Sequence, residues 1–342
     1  MIKELTDYYH PDRIIHRDHQ ILTLKKVFKN FKEVGMASNI VIMGVTGSGK
    51  TTVLNKIIEE ENGNGIKIYS SSAAINRTSF KTFKSMFDVK CNTHERLLSE
   101  SIKQLKKKPG IIIIDEVNKI KNISSFFNDL NTLYRETTIP IIIITNKRNI
   151  YDDLPEDAKL TLFFERIEFP PYNAIQIYDI ISDRISIIEE HTKLPPVPEG
   201  SLKYISALGG QDSSARVALS MTLKCILSND FSIDHINKVQ DDMKKEDWKD
   251  FISNLGYTQR KFLLNLLNIQ SIQKDFKPCD IKKMMPDLTP PRISQLITEF
   301  EDNAIIESKY KNLGRAGGRV RVLRFESEDT FNKIEELLEC KI

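Results

Sequence analysis

The sequence is short of cysteine, of long apolar runs and of net charge. Its four cysteines, Cys91, Cys225, Cys279 and Cys340, lie far apart and form no CxxC pair. That spacing gives no sign of a zinc site or a disulfide framework and points to a reducing cytoplasm. The longest purely apolar runs are four residues, among them the isoleucine quartets at 111–114 and 141–144, far below the roughly 20 residues of a membrane-spanning helix. The opening MIKELTDYYHPD mixes charges with aromatics and has no apolar h-region or small-residue cleavage site, so no export signal is expected. Fifty Lys+Arg stand against 47 Asp+Glu, a formal charge of +3. A sequence-blind DNA coat would be far more basic, so any nucleic-acid surface has to be local.

What remains is the composition of an ordinary globular protein, 40% hydrophobic and 28% charged over 342 residues, long enough for two or three domains at about 150 residues each. Three zones differ in texture. In the first, β-branched runs (NIVIM at 39–43, KIYS at 67–70, IIIID at 111–115, IIIIT at 141–145, RIEF at 166–169) alternate with amphipathic stretches. This is the pattern of an α/β domain with a parallel, helix-covered sheet. FPPYNA (169–174) closes that zone, because successive prolines can neither continue a central strand nor sit inside a helix. Asn173 is then placed to cap a helix with Ile177, Ile180, Ile181, Ile185 and Ile188 on one face. This second zone reads as all-helical. After the charged stretch 241–250 come short helical patterns, a helix opened by LTPPR (288–292) and two β-like segments around Gly314, Gly317 and Gly318, the order of a winged helix-turn-helix. The expected domains are residues 1–171, 172–242 and 243–342.

The strongest chemical signal is GVTGSGKT, comprising Gly44, Val45, Thr46, Gly47, Ser48, Gly49, Lys50 and Thr51 and followed by Thr52. It fits G-x-x-x-x-G-K-[ST] between a strand and a helical pattern. Glycines let successive N–H groups turn inward toward phosphate oxygens at a helix N-terminus. Lys50 would reach the β and γ phosphates and Thr51 would take one Mg²⁺ position. IIIIDE ends a second buried strand with Asp115, suited to Mg²⁺, and Glu116, suited to orienting an attacking water. The gap between Lys50 and Asp115 leaves room for a further strand, KIYS, between the two motif strands. Asn146, after IIIIT, can hold that water or sense the γ phosphate. Arg216, in GGQDSSARVAL (209–219), can reach the γ phosphate from a helix. The expected ligands are ATP or ADP with Mg²⁺, and the six histidines do not cluster at ligand spacing for any other metal.

In this order the motifs resemble an AAA+ ATPase with a small helical lid. More narrowly, YHPDRIIHRDHQILTL (9–24), RIEFPPYNAIQIYDII (166–181) and the stretch 288–325 resemble the Orc/Cdc family of archaeal replication initiators, over nearly the whole chain. The resemblance implies binding and remodelling of double-stranded origin DNA with ATP as the switch, assistance to loading of a replicative helicase, contact with further initiator copies, and a cytoplasmic, nucleoid-associated protein without a membrane partner. The family's arginine finger would fall in LPEDAKLTLFF (154–164), where Asp157 stands instead and Lys159 is the nearest cation. Slow hydrolysis with tight nucleotide retention is therefore expected.

For DNA, Thr289 and Pro290 can open a helix with Ile293, Leu296, Ile297 and Phe300 as its buried stripe. Its other face offers Arg292, Ser294, Gln295 and Thr298 to bases or phosphates. KYKNLGRAGGRVRVLR (309–324) carries six cations and no acid. Arg315 and Gly317 lie at its tip, and Arg319 and Arg321 leave one strand face together. A second contact, an insertion after the second strand, offers Arg77 and Lys81, whereas Phe80, Phe83 and Phe87 are better explained by packing. Two other readings stay open: an ATP-switched winged-helix transcription or plasmid-control regulator, and an AAA+ remodeller of protein partners.

Overall fold

A computed structural model describes residues 2–6, 9–62, 65–87, 89–147, 150–302, 305–312, 319–325 and 327–339. Arg315 and Gly317 lie outside the described residues. The chain divides into two compact units, Met1–Ile236 and Asn237–Ile342.

The first unit opens with α1 (Asp18–Val34), β1 (Asn39–Gly44), α2 (Lys50–Asn62) and β2 (Lys67–Ser72). It continues through α3 (Ser79–Met86), α4 (His94–Lys107), β3 (Gly110–Asp115), α5 (Ile123–Thr137), β4 (Ile141–Thr145), α6 (Glu156–Thr161) and β5 (Phe164–Phe169). The five strands form one parallel sheet in the order β2-β3-β4-β1-β5. The isoleucine runs are buried because strand side chains alternate between two covered faces. Ile40, Ile42, Ile111, Ile113, Ile142 and Ile144 pack with α1 and α2, while Val41, Ile112, Ile114, Ile141 and Ile143 pack with α3 to α6. The strand lying between the two motif strands, β1 and β3, is β4, and β2 sits outside β3. The expectation that KIYS would stand between them is corrected: that segment comes between them in sequence, but a crossover connection carries it to the sheet edge.

Past β5 come α7 (Ala174–Glu189), α8 (Glu199–Gln211) and α9 (Ala215–Ser228). Asn173 closes a capping box with Gln176, its Oδ1 accepting from the Gln176 N–H at 2.9 Å while Gln176 Oε1 accepts from the Asn173 N–H at 3.1 Å. The apolar face of α7, from Ile177 to Ile188, is buried as its spacing requires.

After α10 (Ile233–Asn254), the second unit contains α11 (Tyr257–Ile272), α12 (Pro278–Met284), α13 (Pro290–Asp302), β6 (Ile306–Asn312), β7 (Arg319–Phe325) and α14 (Glu328–Glu339). β6 and β7 pair antiparallel, and Phe276 exchanges two backbone hydrogen bonds with Leu323 on the far side of β7. Ile293, Leu296, Ile297 and Phe300 are each 2% exposed or less and join Phe262, Leu266, Phe276 and Leu323 in one core. Three helices and a hairpin around that core make a winged helix.

Candidate functional site

β1 delivers the chain to a loop in which Gly47 and Gly49 take φ of +78° and +86°. These left-handed angles are easy for glycine and strained for other residues. Lys50 opens α2 and is buried, its ammonium donating to the Gly44 and Val45 carbonyls at 2.8 and 2.6 Å. Burial lowers its pKa, a tendency opposed by Asp115 and Glu116 and reinforced by the nearby charge of Arg216. At the end of β3, Asp115 Oδ2 accepts from the Thr51 hydroxyl at 2.9 Å and Oδ1 from the Glu116 N–H at 2.7 Å. Burial nevertheless raises the Asp115 carboxyl above its usual range. Glu116 is left-handed, with φ of +53°. Its carboxylate lies 2.7 Å from Lys119 Nζ.

Thr46, Gly47, Gly49, Lys50, Thr51 and Thr52 line a cavity of about 410 Å³ together with Asp115, Glu116, Asn146 and Arg216, whereas Gly44, Val45 and the buried Ser48 are not on its wall. Nucleotide-site candidates from four separate segments thus come together. They can do so because β1, β4 and β3 are neighbours in the sheet and end on the same side. Ser214, the N-cap of α9, accepts from the Val217 N–H at 3.4 Å and places Arg216 in the first turn. Thr145, which is 1% exposed, reaches Asn118 Oδ1 at 3.3 Å and accepts from the Lys147 N–H.

Other walls of the cavity were not singled out from sequence: Glu4, Tyr9, Tyr172 and Arg184. Arg184 sits with its guanidinium 4.8 Å above the Tyr9 ring, and burial lowers its pKa. Its Nη1 is buried without a hydrogen-bond partner among the described residues. Arg17 is also missed, although it is 2% exposed and touches the P-loop. His16 Nε2 lies 2.9 Å from Asp179 Oδ2 on α7, which makes it a structural tie.

In the segment where an arginine finger would fall, Lys159 is paired with Glu156 at 2.6 Å. In the insertion, Arg77 and Lys81 are exposed while Phe83 and Phe87 are buried. The Arg77 carbonyl accepts from the Lys121 N–H at 2.7 Å.

In the second unit, Ser294, Gln295 and Thr298 are exposed on α13. Arg292 is half-buried and donates to Gln295 Oε1 at 2.7 Å. Arg319 begins β7. Arg321 is turned to Glu301 of α13, with Nη2 donating at 2.6 Å and both side chains 21% exposed. Glu307 likewise accepts from Arg324 and lies 3.5 Å from Lys309, so part of the basic charge read along this hairpin is neutralised within it.

A five-stranded parallel sheet with a P-loop, an acidic pair ending the strand two places away and a helical segment supplying an arginine define an AAA+ P-loop ATPase, here accompanied by a winged helix. The AAA domain family profile matches residues 35–152. The chain is a homologue of archaeal ORC1-type DNA replication proteins and has the Orc1/Cdc6 fold. The ORC1-type DNA replication protein of Picrophilus torridus is 24% identical over 92% of this chain and 85% of its own. The Aeropyrum pernix ORC1 protein, solved in complex with DNA, matches with a TM-score of 0.79 at 18% identity, covering 100% of this chain and 98% of that one. The Aeropyrum pernix ORC2 protein, in ADPNP–ADP complexes, matches with a TM-score of 0.59 at 12% identity, covering 99% and 98%. Among the described residues, no helix is long and apolar enough to cross a membrane, and no cluster of His, Cys, Asp and Glu could hold a metal ion.

Proposed function

We propose that this protein is an ATP-dependent initiator of DNA replication that binds double-stranded origin DNA and assists loading of a replicative helicase, working in the cytoplasm at the nucleoid. The observation that carries the nucleotide part is the bond between Thr51 and Asp115, with Glu116 adjacent and Lys50 and Arg216 on the same cavity. The similarity to ORC1-type replication proteins along almost the whole chain supports the replication part.

In this reading residues 1–171 form the nucleotide-binding core, 172–242 a lid and 243–342 the DNA-binding winged helix. The amides of the P-loop take the phosphates and Lys50 turns from its loop carbonyls to the β and γ oxygens. Thr51 and Asp115, both hard oxygen donors, would hold Mg²⁺, which neutralises phosphate charge. Glu116 orients the attacking water, Asn146 holds that water or senses the γ phosphate, and Arg216 contacts the γ phosphate. With Asp157 in place of an arginine finger and Lys159 already paired, hydrolysis is slow, because such a finger contributes about three or more orders of magnitude in rate. Arg292, Ser294, Gln295, Thr298, Arg319 and Arg321 contact DNA from the winged helix, and Arg77 and Lys81 from the insertion.

Footprinting on DNA flanking the protein's own gene, with and without ATP and with Lys50→Ala, tests this reading. Protection of repeated elements at an origin, altered by ATP in the wild type but not in the variant, is expected. Protection confined to promoters, or none, would refute origin binding, and rapid steady-state turnover would refute slow hydrolysis.

A further inference from the structure

Arg17 immediately precedes α1 and heads the fully buried side chains by volume. Burial lowers its pKa, and no carboxylate forms an ion pair with it among the described residues. A buried cation is costly unless its donors are satisfied, and here backbone carbonyls do that work. Nε donates to Ser48 O at 3.1 Å, Nη2 to Pro170 O at 2.7 Å and Nη1 to His16 O at 3.0 Å. One guanidinium thus holds the P-loop, the stretch joining β5 to α7 and the N-terminal segment. Its planar face lies 3.7 Å from the centre of the Tyr172 ring. Tyr172 is 5% exposed, lines the nucleotide cavity, and places its hydroxyl 2.8 Å from where a Cβ on Gly49 would stand.

The carbonyl of Ser48 and the N–H of Gly49 belong to the same peptide unit. A cationic donor on that oxygen fixes the orientation of the unit and draws electron density from its N–H, so the amide becomes a better donor on the opposite side. In a left-handed, glycine-rich loop, this peptide is otherwise free to flip. We propose that Arg17 is a positioning residue for nucleotide binding: through the Ser48–Gly49 peptide it holds and polarises the P-loop for phosphate, and through Pro170 and Tyr172 it ties that loop to the start of the helical segment. The proposal rests on the nucleotide-site reading. Lysine cannot replace it, since a single ammonium cannot serve separate carbonyls and stack on an aromatic face together.

The test uses the full chain and displacement of a fluorescent adenosine nucleotide by ADP and by AMP, with thermal unfolding alongside. Arg17→Met and Arg17→Lys should each lower the ratio of ADP to AMP affinity by about tenfold, the scale of one charge-assisted hydrogen bond. The KM for ATP should rise to match while kcat stays within about twofold. If Arg17→Met fails to fold, Arg17→Lys carries the test, because it preserves charge and most of the volume. A lowered Tm with an unchanged ADP to AMP ratio would make Arg17 merely structural, and full recovery in Arg17→Lys would remove the role of the planar fork. Either result overturns the proposal. Failure of the underlying nucleotide reading shows differently, as wild-type protein that does not distinguish ADP from AMP or matches Lys50→Ala.

Discussion

Gly47→Ala probes the contact between the P-loop and the first turn of α9. Gly47 has φ of +78°, and a Cβ built on it would stand 2.3 Å from Ser214 Oγ, 3.1 Å from Ser214 Cβ and 3.2 Å from Ser214 Cα. Two costs follow. The left-handed backbone costs an alanine about 1–2 kcal/mol whatever surrounds it. Displacing Ser214 Oγ also breaks the cap that accepts the Val217 N–H, a loss of about 1 kcal/mol. The single substitution should therefore destabilise the protein by roughly 2–3 kcal/mol. With Ser214→Gly already in place the hydroxyl is gone, and glycine is itself a tolerable N-cap that costs only a few tenths of a kcal/mol. Gly47→Ala should then add only the backbone strain, leaving a coupling of about 1 kcal/mol between the two positions. Urea unfolding of the four variants measures it. Equal costs of Gly47→Ala in both backgrounds would refute the loop–helix contact.

Three further outcomes are expected. Burial raises the Asp115 carboxyl above its unfolded value, so the folded protein holds this proton more tightly and the residue's destabilising effect, absent below about pH 4, grows as pH rises. Asp115→Asn should flatten that trend and raise the Tm of nucleotide-free protein at pH 7 while abolishing ATP hydrolysis; an unchanged Tm–pH profile would count against the burial argument. Glu301→Gln removes the counter-charge from Arg321, so the slope of DNA affinity against salt should steepen by about one unit, whereas a constant slope would mark Arg321 as a brace between β7 and α13. Asn173→Ala deletes the capping box of α7 and should cost about 1 kcal/mol, read as a Tm lowered by a few degrees.

The sequence exposed whatever depends on near neighbours. The P-loop, the isoleucine strands, the acidic pair after β3, the cap at Asn173 and the stripe of α13 are set by local spacing, and each lies where that spacing put it. Arg17 was hidden for the opposite reason. It stands between His16 and Asp18, like a residue of a solvated turn, and its partners lie 31 and 153 positions away. Tyr172 was passed over as part of a proline-rich break, yet it is 5% exposed and lies against the Arg17 guanidinium. Arg321 alternates with valines and so reads as one of a pair of outward cations. Its acceptor, Glu301, lies 20 positions upstream on another element, beyond any strand periodicity. Sheet order failed similarly, since crossover connections separate proximity in space from proximity in sequence.

The sheet order also limits how far the molecule can be cut down. β1 is hydrogen-bonded to β4 on one side and to β5 on the other, and β5 begins beyond the last residue of the matched AAA segment at 152. A fragment trimmed to that segment would leave the P-loop strand as a bare edge, a row of unpaired N–H and C=O groups flanked by isoleucines. Such an edge recruits other chains and aggregates. It would also lack Arg17, Tyr172, Arg184 and Arg216, so insolubility and lost nucleotide affinity would arrive together from a single cut.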